Sequence, residues 1–172
     1  MDKPQTVKIA SLHMNKTIVS FAHAQPREAA ALLRVIQAAY AEFLGKLDPP
    51  SGAFLETESS IGAKVHKGGA IKASADGELI GCVLYEPKGD FMYFGRLAVL
   101  PAWRRGGVAQ GLIAAVEACT KAVGLTRVQI GVRLVLPAHQ AYYEGLGYRP
   151  IAYECHPGFS QPTSVTMEKQ LR

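Results

Sequence analysis

The chain has 172 residues, 48% of them hydrophobic and 19% charged, with a formal net charge of +5. This is a globular composition of single-domain length, rich enough in apolar residues for a core, and it excludes a disordered chain. The mild charge suits an anionic ligand or a slightly basic solvated surface; there is no basic block of the nucleic-acid-arm kind and no apolar run that could span a bilayer.

Residues 1–16 show no period and read as a loose N-terminal extension, with residues 17–172 as one domain. The opening "MDKPQTVKIASLHMNK" has no apolar run or cleavage site, so a cytoplasmic location is expected. "TIVSFA" alternates and reads as a strand. Pro26 then opens a helix of four to five turns, carrying Leu32, Leu33, Ile36, Tyr40, Phe43 and Leu44 at helical spacing. "GKLDPPSGA" breaks it, and residues 54–68 read only as a short helix ending near Gly68 and Gly69.

"AIKASA" and "ELIGCVLYE" flank Asp76-Gly77, a strong hairpin signal. "EPKGD" is a second turn before "FMYFGRLAV", which completes an antiparallel meander. Gly95 within that last strand suggests a bulge or a close backbone approach. A helix follows over 107–123, with Val108, Leu112, Val116, Cys119 and Val123 as its buried stripe. "TRVQIGV" is a strand, Pro137 opens the short helix "AHQAYYEGL", and "YRPIAYEC" and "TSVTMEKQL" are the last strands.

The order gives an α/β fold: a mixed sheet of six to seven strands with helices on both faces. The connection from 91–99 through the helix to 126–132 is expected to be a right-handed parallel crossover. Ligands of such sheets sit at the carboxyl ends of strands, beside a helix N-terminus.

That place is occupied by "LAVLPAWRRGGVAQGL". A helix start carries unpaired N–H groups and a partial positive charge, and normally attracts Ser, Thr, Asp or Asn. Here Arg104, Arg105, Gly106 and Gly107 stand there instead. An external anion resolves the conflict, since bare glycine backbone admits its oxygens and arginines add charge-assisted contacts. A plain Gly-rich loop with solvated arginines is the other reading. The stretch has neither the P-loop Gly-Lys-Ser/Thr nor GxGxxG spacing.

Arg104-x-x-Gly107-x-Ala109 resembles the Q/R-x-x-G-x-G/A signature of the GNAT superfamily of N-acetyltransferases. Leu97-Ala98-Val99-x-Pro101 precedes it as the family's fourth strand does, and "AYYEGLGY" is similar to the family's A-x-x-x-Y-x-x-x-G-F segment. The resemblance spans residues 17–171 and is strongest over 97–148.

This resemblance implies acetyl-CoA as cosubstrate and a GNAT-type acyl-CoA N-acyltransferase fold. Its pyrophosphate would lie on backbone N–H groups of Arg104, Arg105, Gly106, Gly107, Val108, Ala109 and Gln110. Backbone groups of Leu97, Ala98 and Val99 would hold the pantetheine arm and acetyl carbonyl, where the strand splays from its parallel neighbour. Tyr143 would be the general acid that protonates the leaving thiolate, with Tyr142 a packing neighbour.

Two positions depart from the family. Many relatives carry a glutamate base near Gly95; here Gly95 is followed by Arg96. Glu154, Glu42, Asp90 and Tyr93 are the candidate replacements. The Asn that many relatives have seven residues before the tyrosine is Leu136.

No metal is implied, since Cys82, Cys119 and Cys155 form no CxxC pair and the five histidines show no ligand spacing. His139 faces either solvent or the cofactor arm. The resemblance implies that acceptor choice rests on residues 43–69 and 153–164. Asp48, Glu56 and Glu58 there read as an acidic surface loop or as a lure for a cationic amine. "HPGFSQP" has the length of a lid or a homodimer contact. Two function classes follow: an N-acetyltransferase acting on an unidentified primary amine, or a non-catalytic acetyl-CoA-binding sensor or interaction domain. Neither nucleic acid nor a membrane is an expected partner.

Overall fold

Eight strands form a continuous sheet in the computed structural model, which describes residues 8–14 and 16–172. They are β1 (Lys8–Met14), β2 (Thr17–His23), β3 (Gly69–Ala75), β4 (Glu78–Lys88), β5 (Phe91–Val99), β6 (Arg127–Arg133), β7 (Arg149–Glu154) and β8 (Ser164–Gln170). Their order is β1-β2-β3-β4-β5-β6-β8-β7. Every pair is antiparallel except β5 with β6. The mixed α/β sheet read from the pattern is therefore present, with one strand more than the seven counted there.

The extra strand corrects the loose extension expected over 1–16: Lys8–Met14 pair with β2. As an outer strand with no fully buried residue, β1 had no alternation to reveal it. Residues 1–7 and 15, also part of that expectation, lie outside the described residues.

Asp76 and Gly77 both have positive φ, +49° and +82°, as a two-residue primed turn requires. The helices are α1 (Ala29–Tyr40), α2 (Glu58–Lys67), α3 (Val108–Ala122) and α4 (Pro137–Gly145). The first is shorter than its apolar period. Its ends tighten into 3₁₀ turns at Pro26–Glu28 and Ala41–Phe43. A reciprocal cap starts α2. Thr57 Oγ1 accepts from the Ser60 N–H at 3.1 Å, and Ser60 Oγ accepts from the Thr57 N–H at 2.8 Å.

One face of the sheet packs Ala70, Cys82, Leu84 and Ala98 against α1 and α2. The other packs Phe94, Val128, Ile130 and Val132 against α3 and α4, through Leu112, Val116 and Tyr143. Val123 is 60% exposed, which corrects its place in the α3 stripe. It sits beyond the last turn, and the buried face ends at Thr120, whose hydroxyl donates to the Val116 carbonyl at 2.8 Å.

Two features of β5 make the site. First, its ladder to β6 has only two pairs, Met92↔Val128 and Tyr93↔Gln129. Beyond them the strands diverge and leave a wedge. Second, the ladder to β4 steps from Leu84↔Gly95 to Cys82↔Ala98. Arg96 and Leu97 thus oppose Val83 alone, a β-bulge at the position next to Gly95. Arg96 takes a φ of +50° to make it.

Candidate active site and cofactor groove

The N-terminus of α3 is uncapped. Gly107 occupies the cap position with φ +85° and supplies no side chain. The first N–H bonded back to that turn is that of Gly111, to the Gly107 carbonyl at 2.9 Å. Val108, Ala109 and Gln110 therefore present N–H groups with no partner in the helix. Arg105, at φ +63°, and Gly107, at φ +85°, curve the preceding backbone into a concavity of the shape that suits an anion.

Glycine is required at 107 by its left-handed conformation, and at 106 it lets the flexible end of the Met14 side chain pack against the turn. At Gly106 a Cβ would lie 1.9 Å from the Met14 Cε of β1. Strand β1 thus forms part of the wall, although no sequence signal announced it.

A groove of about 310 Å³ opens on this turn, lined by Val99, Arg104, Arg105 and residues 107–110, together with Trp103 and Tyr142. A second, of about 510 Å³, adjoins it along His13, Met14, Ala102, Gly106 and the two arginines. Leu97 and Ala98 lie just before Val99 on the freed stretch of β5. Tyr142 packs on Tyr143 with ring centroids 5.4 Å apart, and its exposed side also lines the groove.

The two arginines part company. Arg104 turns inward: Nε donates to the Val99 carbonyl at 3.2 Å, Nη2 to the Ala39 carbonyl at 2.9 Å, and Nη1 to Glu42 at 2.6 Å. Cations are favoured at a helix C-terminus, and the end of α1 takes this one. The expectation of charge-assisted contacts from both side chains is corrected for Arg104, which clamps α1 to β5 and offers the groove its backbone. Arg105 is exposed and makes no side-chain hydrogen bond among the described residues.

Tyr143 lies on α4 with only 7% of its surface exposed. Its ring packs on Phe94 of β5, Tyr142 and Tyr148 at centroid distances of 6.2, 5.4 and 5.8 Å. Its hydroxyl makes no hydrogen bond among the described residues. Tyr148 differs: it is fully buried, and its hydroxyl donates to Glu117 at 2.9 Å. Burial, and the nearby hydroxyls of Tyr40, Tyr142 and Tyr93, push the Tyr143 phenol well above its ordinary value. It stays protonated, as a proton donor must.

The four candidate bases separate. Asp90 precedes β5 and pairs with Arg127, away from the wedge. Glu42 is taken by Arg104. Glu154 accepts from the Thr166 hydroxyl at 2.7 Å on exposed β7. Tyr93 remains at the wedge. Its hydroxyl lies 3.8 Å and 3.5 Å from where Cβ atoms on Gly95 and Gly131 would stand. The missing side chain at Gly95 makes room for this ring. His139 packs edge-on to Phe43 at 5.8 Å, and burial lowers its pKa.

Of the three acids of the acceptor segment, Asp48 and Glu58 are exposed, as an acidic surface loop would have them, and Glu56 is buried. Glu56 has only 3% of its side chain exposed. It accepts from Arg96 Nε at 2.8 Å, Ser60 Oγ at 2.5 Å and Lys64 Nζ. Burial raises its pKa, but these three donors outweigh that and hold it below the ordinary carboxylate value. A depressed folded-state pKa stabilises the fold above the unfolded value and loses that contribution as pH falls through the folded one. Glu56→Gln is therefore expected to cost about 2 kcal/mol at pH 7. Its melting temperature should converge on that of the parent as pH falls below about 4. A gap that stays constant with pH would refute this.

Among the described residues no cluster of three or more His, Cys, Asp or Glu could hold a metal, and no helix is long and apolar enough to cross a membrane. No curated protein matches the sequence. Many solved structures share the fold. PaiA N-acetyltransferase from Thermoplasma acidophilum, in complex with coenzyme A, superposes with a TM-score of 0.72 at 16% identity, over 88% of this chain and 98% of that one. The ribosomal-protein-S18-alanine N-acetyltransferase of Escherichia coli gives 0.71 at 15%, over 89% and 94%. Ard1 from Thermoplasma volcanium gives 0.74 at 15%, over 90% and 98%. The sequence model of the Acetyltransferase (GNAT) family matches residues 32–148, the stretch holding most of α1, the uncapped turn and Tyr143. The chain belongs to the GNAT acetyltransferase family.

Proposed function

We propose that the protein transfers an acetyl group from acetyl-CoA to a primary amine, with Tyr143 as general acid. The observation that carries this is the uncapped start of α3 opening onto the β5/β6 wedge. Acetyl-CoA would supply the activated thioester. The N–H groups of Val108, Ala109 and Gln110, with the turn from Arg104 to Gly107, would hold its pyrophosphate. Backbone groups of Leu97, Ala98 and Val99 would hold the pantetheine arm and face the carbonyl oxygen, where N–H donors stabilise developing negative charge.

On the acceptor side, Glu56 is engaged and Gly95 has no side chain. The amine would arrive neutral, and Tyr93 is the group in reach of its proton, directly or through water. The engagement of Glu56 and the absence of a side chain at Gly95 favour one second reading, an acetyl-CoA sensor without turnover. The two separate when acetyl-CoA is mixed with a panel of amines and free thiol is followed. Amine-dependent thiol release supports the enzyme. Thermal stabilisation by acetyl-CoA with no amine releasing thiol supports the sensor.

A further inference from the structure

We infer that the acceptor amine also carries a carboxylate, received between Arg96 and Arg133 on the two walls of the β5/β6 wedge. The inference rests on the transferase reading above and adds the substrate class to it. The two strands last pair at Tyr93↔Gln129. Arg96 lies three residues beyond that pair on β5, and Arg133 four beyond it on β6. Both therefore stand past the last pair, where the strands diverge.

Gly95, Gly131 and Arg133 fall on the face opposite the core that takes Met92, Phe94, Ile130 and Val132. The Tyr93 hydroxyl, close to both Gly95 and Gly131, joins these walls. Both arginines border one short loop stretch. Arg133 Nη2 donates to the Pro49 carbonyl at 2.6 Å. A Cβ on Gly52 would stand 2.9 Å from Arg96 Nη2. Pro49 and Gly52 are at most roughly 11 Å apart along the chain, so both guanidinium groups border the same 49–52 turn.

Each arginine has donors left over. Arg133 Nε is buried and has no partner, alone in this among side-chain polar atoms of the described residues. Holding the loop explains its bond to Pro49 but not a stranded charged donor, which is costly to bury. Asp48, on the same loop, offsets part of the Arg133 charge, and burial still lowers the pKa of the guanidinium. Arg96 spends Nε on Glu56, while Nη1 and Nη2 make no hydrogen bond among the described residues. Its positive φ is a strained conformation for a side-chain-bearing residue, of the kind kept at functional sites. A planar carboxylate accepts two parallel N–H bonds from such a fork. The chemistry called for is a small amino acid or another amine with a carboxylate close by.

The test uses CoA-saturated protein and matched acceptors: an amino acid, its amide, its decarboxylated amine and the aminophosphonate analogue. Binding is read by calorimetry, and turnover with acetyl-CoA by free thiol. The acid should bind at least tenfold more tightly than its amide. Arg133→Gln and Arg96→Gln should each shrink the acid-to-amide ratio about tenfold or more. Arg133→Gln should leave acetyl-CoA affinity unchanged. If Arg133→Gln lowers the melting temperature too far, Arg133→Lys replaces it: it keeps the charge, loses Nε and should shrink the ratio. Equal binding of acid and amide, or ratios untouched by these variants, would overturn the inference. A preference for the aminophosphonate would move the anion to phosphate and overturn it too. Turnover without acid preference removes the carboxylate and leaves the transferase. Arginine-dependent binding of acids without turnover does the reverse.

Discussion

Gly107→Asp is expected to weaken acetyl-CoA binding by more than 100-fold while moving the melting temperature by only a few degrees. Asp tolerates the left-handed region better than most residues, and its penalty at φ +85° is about 1 kcal/mol. The new Cβ meets only Leu12 Cδ2, at 3.4 Å. Against the penalty stands a gain of similar size. The carboxylate would accept from the free N–H groups of Ala109 and Gln110 and complement the helix dipole, worth about 1 kcal/mol. The substitution thus caps the helix from within and occupies the donors reserved for an incoming anion. It also sets a negative charge against the pyrophosphate. Loss of two charge-assisted bonds accounts for about 3 kcal/mol, the 100-fold quoted. Gly107→Ala serves as control: it brings the strain without the anion, so it should lose stability but keep most of its affinity. Calorimetric titration of acetyl-CoA into both variants reads the difference. Unaltered affinity in Gly107→Asp would remove pyrophosphate from this turn.

Tyr143→Phe is expected to lower kcat by about 10²- to 10³-fold, the range for a lost general acid. KM for acetyl-CoA should stay within threefold. Stability should hardly move, because the hydroxyl makes no hydrogen bond within the described residues and the Phe ring keeps the contacts to Phe94 and Tyr148. The equivalent change at Tyr148 should behave oppositely. Its hydroxyl is bonded to Glu117, so Tyr148→Phe should cost stability and spare kcat. Since burial raises the Tyr143 phenol above its ordinary value near 10, the proton donor is not lost as pH climbs to about 10. An alkaline fall in kcat below that pH would have to come from another group. A Tyr143→Phe enzyme with full kcat would end the general-acid assignment.

What sequence could and could not carry follows from how local each feature is. The Asp76-Gly77 turn, the α3 stripe as far as Val116 and the missing cap at Gly107 are short-range patterns, and the structure reproduces them. The bulge suggested by Gly95 is real, though the bulged residues are Arg96 and Leu97, and of these Arg96 takes the positive φ. Strand β1 escaped because its residues are not fully buried on either face, so nothing imposed a two-residue period. Long-range pairings left no trace in the sequence. Arg104 meets Ala39 across 65 positions, Arg96 meets Glu56 across 40, and Arg133 meets Pro49 across 84. These contacts decide which arginine faces the groove, which acid is neutralised and where cationic donors are left over. The uncapped turn at the start of α3 was therefore legible, and the side-chain pairings around the β5/β6 wedge were not.

The most direct measurement of the central claim is a crystal structure with acetyl-CoA bound. The expected result has pyrophosphate oxygens within hydrogen-bond distance of the Val108, Ala109 and Gln110 N–H groups. The pantetheine arm should run into the wedge between β5 and β6, and the Tyr143 hydroxyl should lie within reach of the thioester sulfur. A nucleotide held elsewhere, with the start of α3 facing solvent and the wedge empty, would contradict the account.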